Sequence, residues 1–300
     1  MTDIERVGVV GCGLMGAGIA EVCARAGLPV TVVERDAQAA RAGRLRIDRS
    51  LDRATALGRL TAVHRERASA LITVADQLEA LDDRDLVIEA VAEDERLKTD
   101  LFTRLDTVLT DDRALLATNT SSIPVIRLAA ATGRPERVVG VHFFNPVPVL
   151  RLVELVPSLL TSQDTVRRAE TFVTGRLGKE VVRTRDRAGF VVNALLVPYL
   201  LAAIRMVEAG GASVDDIDRA MVLGCAHPLG PLALTDLIGL DTTRAIAESL
   251  YAEFREPLYA PPPLLRRMVE AGLLGRKSGR GFHTYPTGRR EETAVPVRRP

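Results

Sequence analysis

A short apolar run, Val7-Gly8-Val9-Val10, breaks into glycines and resumes as an apolar-faced segment through Ile19 and Ala20. A continuous apolar stretch of this length, bounded by turn residues, reads as a strand buried on both faces. The signature recurs at Val30 to Val33, Leu71 to Val74, Asp85 to Ala90, Ala114 to Thr118, Val138 to Phe144 and Glu180 to Arg183. Helical spacing separates several of these runs: Glu93 to Leu109 places Leu97, Leu101, Leu105 and Val108 on one face, and Ser162 to Leu177 forms a second helix. Strand alternating with helix predicts an α/β fold with a doubly wound, largely parallel sheet. Two departures stand out. Val149 to Val156 follows Asn145-Pro146 closely enough to pair with the preceding strand as a hairpin. A charged, mostly helical excursion over about 36–70 interrupts the alternation after the second strand.

The pattern changes past Asp186, where long helices replace strands. The spacing predicts one domain over 1–186 and a helical second domain over 187–300. Phe190 to Ile204 carries no charge but is shorter than the roughly 18 to 20 residues a bilayer span needs, so it reads as a buried helix. Pro198 removes a hydrogen bond within it and should kink it.

Chemistry enters first at the glycines. Gly11, Gly13 and Gly16 stand as G-x-G-x-x-G between a strand and a helix: the first allows a sharp turn, the second close approach of a pyrophosphate, the third tight helix packing. The N–H groups that follow, from Leu14 and Met15 onward, would face the anion. Glu34 ends the next strand, where a carboxylate can accept both ribose hydroxyls of an adenosine and repel a 2′-phosphate. Arg35 beside it can soften that discrimination. Ligands of such sheets lie outside the carboxyl ends of the strands, which places Glu93, Asn119 and Ser121 in the cofactor region.

Charge adds little globally and more locally. Forty basic and 39 acidic residues leave a net charge of +1, so no overall field recruits nucleic acid or an anionic membrane. Arg41, Arg44, Arg46, Arg49 and Arg53 bias the excursion, interrupted by Asp48 and Asp52; a solvated helix face and a site for a phosphate-bearing substrate are both compatible with this. Cys12, Cys23 and Cys225 form no metal or disulfide spacing and fit a reducing cytoplasm, with Cys12 a space-filler. The opening residues carry no signal-peptide pattern. Among four histidines, His142 is the candidate base, with Glu154 on the paired strand able to fix its tautomer; a satisfied core histidine is the competing reading. His64 and His283 read as solvent-facing, and His227 as a loop residue.

Six stretches together carry a resemblance: Gly11 to Ala20, Asp85 to Lys98, Ala117 to Ser122, His142-Phe143-Phe144-Asn145-Pro146-Val147-Pro148, Gly189 to Asn193, and Asp236 to Asp241. In that order, the chain resembles the 3-hydroxyacyl-CoA dehydrogenase family, closest to its short bacterial 3-hydroxybutyryl-CoA members. The resemblance implies a Rossmann-type NAD-binding domain, an all-helical C-terminal domain, homodimerisation through the latter, and NAD-linked interconversion of (3S)-3-hydroxyacyl and 3-ketoacyl thioesters. It makes His142 the general base, Glu154 its charge-stabilising partner, and Ser121 and Asn193 the groups holding the substrate oxygen. It assigns Glu34 to the ribose, Glu93, Lys98, Ser121 and Asn145 to the nicotinamide half, and Lys277 to a cofactor-proximal position. No metal is implied. The family's CoA contacts are a serine, matched by Ser50, and a lysine whose place is taken by Leu57; Arg53 or Arg59 can supply the missing cation. Two alternatives accompany this departure: the same chemistry on a carrier-protein-tethered acyl group, and a catalytically inactive relative.

Overall fold

The structure is a computed structural model and describes residues 4–285. Two compact units divide between Phe190 and Val191. The first is built on an eight-stranded sheet in the order β3-β2-β1-β4-β5-β6-β7-β8. Its strands are β1 (Val7–Val10), β2 (Val30–Val33), β3 (Ile72–Ala75), β4 (Leu86–Glu89), β5 (Leu115–Thr118), β6 (Val138–Phe143), β7 (Leu152–Val156) and β8 (Glu180–Arg183). The first six are parallel, β7 runs antiparallel to β6, and β8 is parallel to β7.

Alternate residues of the central strands feed two cores, which is why those strands are nearly continuous apolar runs. Val7, Val9, Val32, Ile88 and Leu115 pack on one face with Ile19 and Cys23 of α1 (Leu14–Arg25), Ile47 and Leu51 of α2 (Ala37–Ala56) and Ala68 of α3 (Ala62–Ala70). Val10, Val33, Val87 and Leu116 face the other way, onto Leu101, Phe102 and Leu105 of α4 (Glu95–Val108) and Leu128 of α5 (Val125–Ala129). The excursion is thus the pair α2 and α3, capped at its start by Asp36, whose carboxylate accepts the Ala39 amide at 2.7 Å.

Three predicted elements of this unit are corrected. The hairpin's second strand begins at Leu152 rather than Val149, because the Val149 and Leu150 amides both donate to the Pro146 carbonyl at 3.0 Å and hold that stretch in a turn. Helix α4 begins at Glu95 rather than Glu93: Asp94 caps it by accepting the Leu97 amide at 2.9 Å, which leaves Glu93 in the preceding loop. The segment from Ser162 is helical as α6 (Gln163–Thr171) but widens into a π-helical turn over Phe172–Arg176.

The second unit is helical, with α7 (Val192–Glu208), α8 (Val214–Cys225), α9 (Pro231–Ile238), α10 (Leu240–Phe254) and α11 (Pro263–Glu270). Pro198 lies within α7, which continues past it. That helix buries Val197, Leu200, Leu201 and Ile204 but leaves Leu195 73% exposed, so within its own unit it is buried on one side only. His283, expected to face solvent, is half-buried instead: the chain after Lys277 is pulled inward by Asp236, which accepts the Phe282 and His283 amides, and His283 Nε2 meets Asp218 Oδ2 at 2.8 Å. No helix among the described residues is long and apolar enough to cross a membrane.

Candidate active site

Parallel strands β1, β4 and β5 end level with one another, since Val10 pairs with Glu89 and Glu89 with Thr118. Beyond that edge lies the glycine turn. Gly11 adopts φ +89°, and a Cβ there would come within 2.8 Å of the Ala90 carbonyl oxygen. A Cβ on Gly16 would fall 1.8 Å from the Gly11 oxygen, so only glycine lets α1 sit this close to the strand. At Gly13 the outcome is opposite: a Cβ would meet nothing within 4 Å. This glycine therefore answers to space in front of the turn, as expected where a pyrophosphate approaches the backbone. Gly13 is also the N-cap of α1 with no side-chain cap, which leaves the first helical N–H groups to an anion. Leu14 is exposed at that end.

Glu34, just past β2, lies against the same turn. Its Oε1 accepts the Cys12 amide at 2.6 Å, and its Oε2 the Arg35 amide at 3.1 Å. A ribose diol is matched by such a carboxylate, so the residues present fit an adenosine dinucleotide. The Cys12 carbonyl accepts a hydrogen bond from Arg46 of α2, and the Cys12 thiol is pushed up to about 12 by burial and by Glu34. That thiol is inert at neutral pH, in keeping with a packing role.

The middle of the edge is a charged network. Lys98 of α4 is 1% exposed, with Nζ at 2.6 Å from Glu89 Oε1 and 3.1 Å from Glu93 Oε2. Thr118 donates to the other Glu89 oxygen at 2.7 Å. Glu93 in turn accepts from the Ser121 and Ser122 amides at 3.1 Å, from the Ser122 hydroxyl at 2.8 Å and from the Thr120 hydroxyl. Burial pushes Glu93 up, but Lys98 and these donors outweigh it and hold the carboxyl below its ordinary range. For the more deeply buried Glu89, burial prevails over Lys98 and the carboxyl is raised. Asn119 ties the loop to the next strand: its Oδ1 accepts the Phe143 amide at 2.8 Å.

Strand β6 overhangs the edge, because Gly140 is the residue level with Thr118 and the strand runs on to Phe143. His142 occupies that overhang. In the antiparallel register it stands directly opposite Glu154, and its Nδ1 lies 2.7 Å from Glu154 Oε2. Histidine and glutamate are 6% and 0% exposed, and the Phe144 and Phe190 rings lie 4.5 and 5.5 Å from the imidazole. A buried carboxylate accepts the Nδ1–H, which fixes the tautomer and leaves Nε2 with a lone pair, the arrangement of a general base. Asn145, joined to Pro146 by a cis peptide bond, is exposed at the following turn.

The edge thus gathers Gly11, Gly13, Leu14, Gly16, Glu34, Glu93, Lys98, Asn119, Ser121, Asn145, His142 and Glu154 on the first unit. Other candidates lie elsewhere. The Ser50 hydroxyl, on α2, donates at 2.5 Å to Glu21, a fully buried carboxylate of α1, so it is engaged within the fold; Arg53 is exposed. Asn193 lies in the first turn of α7, and Lys277 pairs with Asp241 at 2.6 Å, both in the helical unit. Residues the sequence reading passed over are Glu89, Thr118 and Thr120, which support the Lys98 network, and Asp186, whose carboxylate accepts the Val125 and Ile126 amides at 2.8 Å. The only signal for Glu89 was an acid closing an otherwise apolar strand; for Asp186 there was none.

Comparison with known proteins agrees with this geometry. The model of the 3-hydroxyacyl-CoA dehydrogenase NAD-binding domain matches residues 6–187, and that of the family's C-terminal domain residues 189–285. A 3-hydroxybutyryl-CoA dehydrogenase of Mycobacterium tuberculosis is 61% identical over 286 residues, covering 95% of this chain and 100% of the relative. A crystal structure of (S)-3-hydroxybutyryl-CoA dehydrogenase from Ralstonia eutropha superposes with a TM-score of 0.90 at 44% identity, covering 95% of this chain and 100% of that one. Human mitochondrial hydroxyacyl-coenzyme A dehydrogenase is 40% identical, covering 94% of this chain and 91% of its own. With the glycine turn, the Glu34 carboxylate and the histidine–glutamate pair at one sheet edge and both family domains matched in sequence order, this chain belongs to the 3-hydroxyacyl-CoA dehydrogenase family.

Proposed function

We propose that the chain interconverts (3S)-3-hydroxyacyl-CoA and 3-ketoacyl-CoA with NAD as the redox partner, and that 3-hydroxybutyryl-CoA and acetoacetyl-CoA are its preferred pair. The observation that carries the catalytic assignment is the buried His142–Glu154 contact of 2.7 Å. In oxidation, His142 Nε2 takes the proton of the substrate hydroxyl, and the imidazolium formed is stabilised by the Glu154 carboxylate; in reduction the proton returns. Bound NAD supplies the acceptor for the hydride released from C3. The Ser121 hydroxyl and the Asn193 amide hold the substrate oxygen. Glu34 would accept the ribose hydroxyls, the amides of Leu14 and Met15 would hold the pyrophosphate, and Glu93, Asn119 and Asn145 would line the nicotinamide end. Lys98, enclosed by Glu89 and Glu93, acts through Glu93 as a positioning residue. Lys277, paired with Asp241, is a further cofactor-proximal candidate.

The substrate handle is tested by comparing acetoacetyl-CoA with acetoacetyl carrier protein under NADH and then NADPH. The CoA thioester with NADH should give the highest kcat/KM, by about ten-fold or more. Preference for the carrier protein would move the assignment to a tethered substrate, which the engaged Ser50 and the Leu57 substitution favour.

The chain also functions as a homodimer through its helical unit, where Leu195 and Leu223 are 73% and 72% exposed. Light scattering at working concentration should return twice the chain mass; a monomer overturns this. Free, buried Cys12 and Cys23 suit the reducing cytoplasm as its place of action.

A further inference from the structure

We propose that Arg46, on α2, is a second determinant of which dinucleotide the chain accepts: with Arg35 it forms a phosphate-binding position that the Glu34 carboxylate keeps closed. The inference rests on the dinucleotide assignment above and extends it to a residue outside the glycine turn. The Cys12 backbone is held on both sides, its N–H donating to Glu34 Oε1 at 2.6 Å and its carbonyl accepting from the Arg46 guanidinium. One residue therefore bridges the carboxylate and the cation. Arg46 reaches this place because Gly43, on the same helix face, lacks a side chain: a Cβ there would come within 2.6 Å of Cys12 Cβ and 2.8 Å of its sulfur, forcing α2 away from the turn. Arg35 follows Glu34 directly and is exposed, its Nε 3.2 Å from Asp36 Oδ2.

A guanidinium carries five donors in a planar fork, and the Cys12 carbonyl takes one from Arg46. The others remain for an anion bound beside Glu34. Rejection of a 2′-phosphate then comes from one carboxylate acting against two neighbouring cations, and removing that carboxylate uncovers a site that Arg binds well.

Calorimetric titration of the full chain with 5′-AMP and 2′,5′-ADP separates the possibilities. In Glu34→Ser, the affinity ratio of 2′,5′-ADP to 5′-AMP should rise at least ~10-fold over the parent. Adding Arg46→Ala should remove most of that gain while 5′-AMP affinity stays within about two-fold, and Arg46→Lys in its place should keep part of it. Glu34→Ser without a gain, or a double variant that keeps it in full, overturns the proposal. Equal losses for both nucleotides would make Arg46 a clamp on the Cys12 peptide alone and overturn it too. A parent chain that binds neither NADH nor 5′-AMP would sink the dinucleotide assignment itself, a result distinct from all of these.

Discussion

His142→Gln is expected to bind NADH almost as tightly as the parent while reducing acetoacetyl-CoA at least ~10²-fold more slowly. Glutamine keeps a polar side chain of similar reach, so the Phe144 and Phe190 surroundings and the strand register survive. It has no group that can carry the proton. The adenosine and pyrophosphate contacts come from Gly13, Leu14, Met15 and Glu34 and the nicotinamide end from Glu93, Asn119 and Asn145, and none uses the imidazole. Stopped-flow fluorescence for NADH binding and steady-state turnover on the same preparation read the two effects separately. Near-normal turnover would remove His142 from the chemistry; a parallel loss of NADH affinity would make it a structural residue.

Lys98→Met should cost about 3–5 kcal/mol of unfolding free energy, because it leaves two carboxylates facing each other without their shared cation. Glu89 is fully buried, so its charge has no water to turn to. The pH dependence follows from the two directions of shift. Glu89 is already raised by burial, and without Lys98 it rises further; a raised carboxyl favours the fold while protonated and loses that advantage as pH climbs through its folded pKa. Glu93 is lowered overall with Lys98 present, so it stabilises above its unfolded pKa and that contribution fades as pH falls through the folded one. Removing Lys98 diminishes the Glu93 contribution and enlarges the Glu89 penalty. Both make the deficit greatest at neutral and alkaline pH and smaller in acid. Urea denaturation across pH checks this, and a deficit that grew on acidification would contradict it. Since Glu93 holds the Thr120–Ser122 loop by accepting from several of its donors, KM for NADH should rise as well.

The strands and the glycine turn were legible because they depend on local pattern: apolar runs, their stops, and the one residue type that tolerates φ +89° at Gly11. The His142–Glu154 pairing was legible in part, since the connection through Asn145-Pro146 is short enough for a hairpin, and the family resemblance chose it over a satisfied core histidine. Lys98 was not. On a helix with the spacing of α4 a lysine reads as solvated, and nothing in the sequence says that Glu89 of a neighbouring strand waits for its ammonium. Glu93 was read into the helix because the competition between two adjacent acids for the cap, settled by Asp94, is decided by backbone geometry. Ser50 matched a family position by sequence, yet its hydroxyl meets Glu21 of α1, a tertiary contact no spacing reveals. His283 was misread because the pull of Asp236 on the chain ahead of it acts across a long separation.

The reversal of direction at β7 has a consequence for how this site can change over time. Opposed partners on a pleated ladder share a face only in one phase, and a shift by a single residue turns every side chain of the strand over. Losing one residue between Pro148 and Leu152 would shorten a turn, whereas losing one inside Leu152–Val156 would offer the imidazole Val153 or Leu155 in place of a carboxylate. The acid–base couple is therefore written into the parity of a five-residue strand as much as into the identity of its two members, so that a one-residue length change there removes the couple while a substitution at its margins leaves it.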